Sequence, residues 1–267
     1  MSETVHRGVL EDAGVVALHD AVYAIQAWPA GSHVWGHYAE QTEHGPAICR
    51  TENVSACDPT VGALVEQELR GIAERALGAP TVAFKDKLNY KQPGGAGFSP
   101  HQDVVAYPGV GRVVSVLLAV DECSLESGCL WLAVGVDRAL PTDDRGAVRA
   151  DVVDGLSFDP IELGAGDAVC IDGFAPHYSE ANRTEHARRV LVASYAPASE
   201  GYSRAMYYAA RRTVMTDASA RDGRFRISTL ADFEGDEVAP TELARDRCTH
   251  PVVTSPDGAR STRPAMP

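Results

Sequence analysis

In the stretch TVAFKDKLNYKQ (81–92), the apolar and polar side chains alternate with a period of two. Val82, Phe84, Leu88 and Tyr90 share one parity, and Lys85, Lys87, Asn89 and Lys91 share the other. A repeat of two cannot ride on a helix, where one face recurs every three to four residues, so this stretch is a strand with one apolar and one cationic face. Four more short apolar stretches follow: RVVSVLLAVDEC (112–123), SGCLWLAVG (127–135), GDAVCIDG (166–173) and ARRVLVASYAP (187–197). The first of these is apolar on both parities through most of its length, as a central strand would be. Turn signals separate them, which predicts a chain of short strands wound into paired sheets.

Two helices precede the strands. Residues 9–26 carry apolar positions at helical spacing behind an acidic start, and DPTVGALVEQELRGIAERALGAP (58–80) repeats the pattern. In the second, Asp58 or Thr60 suits the N-cap, and Gly78 with Pro80 ends the run. Residues 27–58, with Trp28, Pro29, Gly31, Gly45 and Pro46, read as loop, and YSRAMYYAARR after residue 200 as a short helix. The expected fold is therefore mainly β with flanking helices, a double-stranded β-helix (a jelly-roll, cupin-like barrel) with helices on one side. One domain spans 1–235, and 236–267, rich in Asp, Thr, Pro and Arg, reads as a loosely packed tail.

A net charge of -13 disfavours nucleic acid and anionic membranes as partners, since both select a basic face. No apolar run approaches the roughly 18 residues of a membrane span. The N-terminus MSETVHRGVLEDAG lacks an export signal, and the six cysteines form no C-x-x-C pair. Reduced thiols and a cytoplasmic location are expected.

Chemistry concentrates after the first strand, in GGAGFSPHQDVVAYPGVG (94–111). His101 and Asp103 stand two apart, so in an extended segment they point the same way. Alone, such a pair is usually a surface turn. A metal held by two imidazoles and one carboxylate needs a second histidine from elsewhere, and His177, just past GDAVCIDG, is the best placed. Arg188 follows on the next stretch and suits bidentate capture of a carboxylate, with the Ser179 hydroxyl beside it. The lysine face at 85–91 adds a positive wall in an acidic chain; a solvated outer face is the plainer reading of those lysines.

The runs KLNYKQPGGAGFSPHQD, SVLLAVDECSLESGCLWLAVG and GDAVCIDGFAPHYSEANRTEHARRVLV resemble the phytanoyl-CoA dioxygenase family of Fe(II)/2-oxoglutarate oxygenases, over about residues 50–210. In style they are similar to its branch of bacterial organophosphonate and natural-product hydroxylases. The resemblance implies that His101, Asp103 and His177 bind iron and form the catalytic centre. Arg188 and Ser179 would hold the distal carboxylate of 2-oxoglutarate, with Lys87 as a further contact, and Asn182 would be structural. It implies Fe(II), 2-oxoglutarate and O2 as cofactors, with ascorbate as a reductant in assays. The reaction would be hydroxylation of a C–H bond in a small molecule, releasing succinate and CO2, by a monomer or homodimer.

Asp103 fills the position that related halogenases leave to Ala or Gly, which favours hydroxylation over halogenation. Desaturation or ring closure, a non-catalytic binding module and a zinc hydrolase are the alternatives. Two departures from the family pattern stand out: Gly135-Val136-Asp137 replaces a common G-S-H, and RVVSVLLAV lacks a tryptophan often found there. Candidate substrate contacts are Asn89, Gln102, Tyr107, Asn53 and Arg50.

Overall fold

The computed structural model describes residues 4–29, 34–144, 146–222, 227, 228, 230 and 232–238. Its strands are β1 (Thr4–His6), β2 (Gly36–Thr42), β3 (Gly45–Glu52), β4 (Thr81–Lys91), β5 (Phe98–His101) and β6 (Val114–Ala119). They continue with β7 (Leu130–Leu132), β8 (Asp159–Ile161), β9 (Ala168–Asp172), β10 (His177–Ser179), β11 (Arg188–Pro197) and β12 (Asp236–Val238). The helices are α1 (Asp12–Gln26), α2 (Pro59–Leu64), α3 (Arg70–Leu77), α4 (Ala150–Val153) and α5 (Arg204–Asp222), with a π-helical turn at Val65–Leu69 joining α2 to α3. Asp58 caps α2 by accepting the Val61 N–H at 2.9 Å, with Pro59 at the first helical position.

Two antiparallel sheets face each other. The large one runs β1-β9-β6-β11-β4-β3-β2-β12 and the small one β5-β10-β7-β8. The alternation read from the sequence sets what lies on each side of the large sheet. Leu88 and Tyr90 of β4, Val116 and Leu118 of β6, and Leu191, Ala193 and Tyr195 of β11 face outward. There they pack with Leu18, Val22 and Ile25 of α1 and with Val61, Leu69, Ile72 and Leu77 of the second helical segment. The opposite parity faces the small sheet, where Val169, Ile171, Val190 and Val192 join Leu132, Leu163 and Cys129 in a second cluster. The large sheet thus has apolar contacts on both sides, and the space between the sheets is left for chemistry.

The structure changes two readings and decides a third. Residues 36–52 are a hairpin in the large sheet where the sequence suggested loop. Glu40, Arg50 and Glu52 are buried there, and charged side chains inside the barrel erase the alternation that marks a strand. Phe84 leaves the parity of Leu88 because a bulge opposite Ser194 and Tyr195 shifts the pattern by one residue. It packs instead on Tyr107 and Tyr207. The lysine face is not a solvated outer surface: Lys85 and Lys91 are buried and the face lines the barrel interior. Of the tail, Asp236–Val238 pairs antiparallel with β2, and 239–267 lie outside the described residues. Among the described residues, no helix is long and apolar enough to cross a membrane.

Candidate active site

His101 ends β5 and His177 opens β10, and the two are direct cross-strand partners. Their ring centroids stand 4.2 Å apart. Asp103 starts a short 3-10 turn just past β5. The ligand atoms of the three all lie within 4.8 Å of one another, and all three residues are buried. Each histidine uses the same local device. Nδ1–H of His101 donates to Ser99 O at 2.8 Å, and Nδ1–H of His177 donates to Ala175 O at 2.9 Å. A carbonyl only accepts, so Nδ1 carries a proton in both rings and Nε2 is the nitrogen left to take a metal. Burial pushes the His177 imidazole down to about 4, which leaves it neutral at physiological pH.

Asp103 Oδ2 accepts from Ser115 Oγ at 2.6 Å, and Ser115 Oγ lies 3.0 Å from Ser194 Oγ. Behind them Lys85 Nζ donates to Tyr107 OH at 2.7 Å. Burial disfavours the charged form of Asp103. The facing His177 ring, the Lys85 and Lys87 amines and the His101 ring outweigh it and hold the carboxyl well below the usual carboxylate range. Two imidazoles turned to offer Nε2 and one ionised carboxylate, converging and pre-oriented, fit an Fe(II) ion with open coordination positions.

A second constellation sits at the other end of the same cavity, which has a volume of about 90 Å³. Arg188 on β11 pairs with Lys91 on β4, and Lys91 Nζ donates to Ser179 Oγ at 2.9 Å. Arg188 Nη2 donates to Gly128 O, while its buried Nε has no partner. Burial, reinforced by Arg188, holds the Lys91 amine well below its usual value. Two buried cations side by side with an unanswered N–H form a cradle for a carboxylate. Sequence reasoning placed Arg188 and Ser179 and included Lys91 in the cationic face, but took Lys87 as the further contact; the β4–β11 register is what sets Lys91 beside Arg188.

The remaining candidates divide. Lys87 and Asn89 line the cavity. Lys87 has no hydrogen-bond partner among the described residues, and burial with neighbouring Arg50 and Lys85 lowers its basicity strongly. Arg50 sits behind Asn89, its Nε donating to Asn89 Oδ1 at 3.1 Å. Gln102, Tyr107 and Asn53 do not line the cavity. Gln102 is fully buried and clamps loops, donating to Arg138 O at 3.0 Å and accepting from Leu140 N at 2.7 Å. Tyr107 backs the Asp103 network. Asn53 lies in the left-handed region (φ 59) and donates to Val34 O. Asn182 donates to Lys91 O and His186 O, pinning the turn between β10 and β11. Two carboxylates unforeseen from the sequence also line the cavity, Glu40 and Asp232.

The sequence profile of the phytanoyl-CoA dioxygenase (PhyH) family matches residues 4–190. The chain belongs to that family. Among relatives, a methylphosphonate hydroxylase of Gimesia maris is 33% identical over 230 residues, covering 85% of this chain and 88% of its own. A 2-aminoethylphosphonate dioxygenase from an uncultured bacterium is 32% identical over 213 residues, covering 77% and 81%. The fold is shared with EctD of S. alaskensis, solved with 2-oxoglutarate and 5-hydroxyectoine (TM-score 0.63, 19% identity, 74% of this chain and 73% of that one). It is also shared with the epimerase SnoN, solved with Fe3+, alpha ketoglutarate and nogalamycin RO (TM-score 0.61, 19% identity, 73% and 79%).

Proposed function

We propose that this PhyH-family protein is an Fe(II)- and 2-oxoglutarate-dependent dioxygenase that hydroxylates a C–H bond of a small organophosphonate. The observation that carries the reading is the pairing, in one small cavity, of the His101–Asp103–His177 cluster with the Arg188–Lys91–Ser179 cradle. His101, Asp103 and His177 would hold iron. Arg188 and Ser179, with Lys91, would hold the distal carboxylate of 2-oxoglutarate. When bound, the metal with 2-oxoglutarate and O2 supplies oxidation of an unactivated C–H bond, releasing succinate and CO2.

The protein's part is binding and position. The Nδ1 bonds to Ser99 and Ala175 fix both rings, and Ser115 fixes one carboxylate oxygen of Asp103. An anion between Arg188 and Lys91 would offset the burial and the Arg188 charge that lower the Lys91 amine. Leu117, Val190 and Val192 add apolar wall to the cavity and help keep water from its polar groups. Lys87, unpartnered and in front of the Arg50–Asn89 pair, would take the phosphonate of the substrate. The relatives' names support that substrate class. The five cysteines among the described residues are free thiols, in keeping with a reducing cytoplasm.

The test is succinate formation by the iron-loaded protein with a panel of phosphonates, with the product identified by mass and 31P NMR. A product heavier by one oxygen, formed together with succinate, supports hydroxylation. Loss of two hydrogens would instead assign desaturation or ring closure. Absence of succinate above the substrate-free rate with every phosphonate would overturn the substrate class.

A further inference from the structure

Asp232 belongs to no regular element, yet its place is fixed. Ser99 N donates to Asp232 O at 2.8 Å and Glu234 N donates to Gly97 O at 3.1 Å. Phe233 bridges Phe98, with the rings 5.1 Å apart. The segment therefore lies antiparallel to the chain that carries His101, and it turns the Asp232 carboxylate into the cavity. Asp232 is 3% exposed. Its Oδ2 lies 3.4 Å from His101 Nε2, and its Oδ1 is buried without a partner.

His101 cannot be the lasting partner. Nδ1 of that ring is committed to Ser99 O, so Nε2 is the atom a metal would take, and a coordinated Nε2 has no proton to donate. Metal binding leaves both oxygens of Asp232 unanswered in a low-dielectric cavity, a strongly unfavourable state for a carboxylate. Most other polar groups lining the cavity have partners. Glu40 accepts the Ala96 N–H at 3.0 Å, Asp103 accepts from Ser115, and Lys91 is tied to Ser179. Lys87 is claimed by the anionic end of the substrate under the reading above.

We propose that Asp232 receives a cationic group of the substrate, so that the cavity selects an aminoalkylphosphonate, with its phosphonate on Lys87 and its ammonium on Asp232. The inference rests on the phosphonate reading and narrows it, since one relative is named for a phosphonate with an amine and the other for one without.

The experiment compares 2-aminoethylphosphonate with propylphosphonate, which replaces the ammonium by a methyl group. Binding is measured by anaerobic calorimetry on protein loaded with Fe(II) and 2-oxoglutarate. Wild type is expected to favour the amine by roughly ten- to a hundredfold, the worth of one charge-assisted hydrogen bond. In Asp232→Asn that ratio falls toward parity, while Glu40→Gln keeps it. Because the ratio is taken within each protein, a change in folded fraction cancels.

Equal affinities in wild type would overturn the inference and indicate that Lys87 answers Asp232 internally. A preference that survives Asp232→Asn, or is lost in Glu40→Gln instead, would overturn it too. Failure of the underlying reading looks different, because then neither phosphonate binds wild type or supports succinate formation.

Discussion

Single residues near the His101–Asp103–His177 cluster differ in what they do, and substitutions should separate them. Asp103 is held by one hydroxyl and faces the cavity, so Asp103→Ala removes a ligand without opening the apolar core. The expected outcome is a folded protein, by circular dichroism, that no longer develops the weak visible band of an Fe(II)–2-oxoglutarate chelate. A band of wild-type intensity would mean that another group, with Asp232 the nearest candidate, supplies the carboxylate. Arg188→Ala takes away the fork of the cradle and leaves Lys91. The 2-oxoglutarate requirement should rise about ten- to a hundredfold, the range for a charge-assisted contact, with Arg188→Lys falling between. Unchanged dependence on 2-oxoglutarate would place the anchor elsewhere. His101, Asp103, His177, Arg188 and Ser179 were legible in the sequence because they fall in short motifs at the ends of recognisable strands. Gln102 and Tyr107, right beside them and offered as substrate contacts, do not line the cavity. Neighbours in sequence point to different places once the chain leaves the strand at Asp103.

At the scale of elements, the cradle depends on how closely the β7 turn approaches the β10–β11 turn. Gly128 has φ +74, and a Cβ there would stand 2.3 Å from Glu180 O and 2.9 Å from Lys91 Nζ. Gly128 O also accepts from both Arg188 and Lys91. Gly128→Ala should therefore lose about 1–3 kcal/mol from backbone conformation alone, and more from the contact, while weakening 2-oxoglutarate binding. Denaturant melts and a 2-oxoglutarate titration check both; a variant with wild-type stability would show that the two turns can move apart. The second device is Asp86, whose parity puts it on the outer face of β4, opposite the lysines. It accepts from Val54 N at 2.7 Å, Ser55 N at 3.0 Å and Ser55 Oγ at 2.6 Å, and it pairs with Arg204 of α5. A charge in a strand that otherwise alternates cleanly thus ties a loop and a helix to the back of the sheet. Its partners are distant in sequence, so nothing local announced that role.

For the whole molecule, the site is a seam between two sheets, and filling it should stiffen the fold. Ligands that bind only the native state stabilise it by about 2.7 kcal/mol at a hundredfold excess over Kd. At roughly 2–4 °C per kcal/mol for a chain of this size, Fe(II) with 2-oxoglutarate should raise Tm by about 5–10 °C, and a chelator should reverse it. A thermal shift assay under argon reads this directly. No shift with both ligands, or an equal shift in the Asp103→Ala variant, would mean that the cavity is not where they bind.

The sequence by itself determined the class of fold and singled out the His101, Asp103 and His177 constellation. Period-two strands can bury only one parity against helices, and a motif of fixed spacing carries its ligands wherever its strand goes. It missed the β2–β3 hairpin because the inward residues Glu40, Arg50 and Glu52 are charged, which breaks the pattern that marks a strand. Lys91 acquires its meaning from cross-strand register with Arg188, and Asp232 from a stretch laid against β5 more than a hundred residues earlier. Such groups serve the site through juxtaposition rather than local conformation. Only the tertiary structure, which brings distant backbone into contact, decides where they stand.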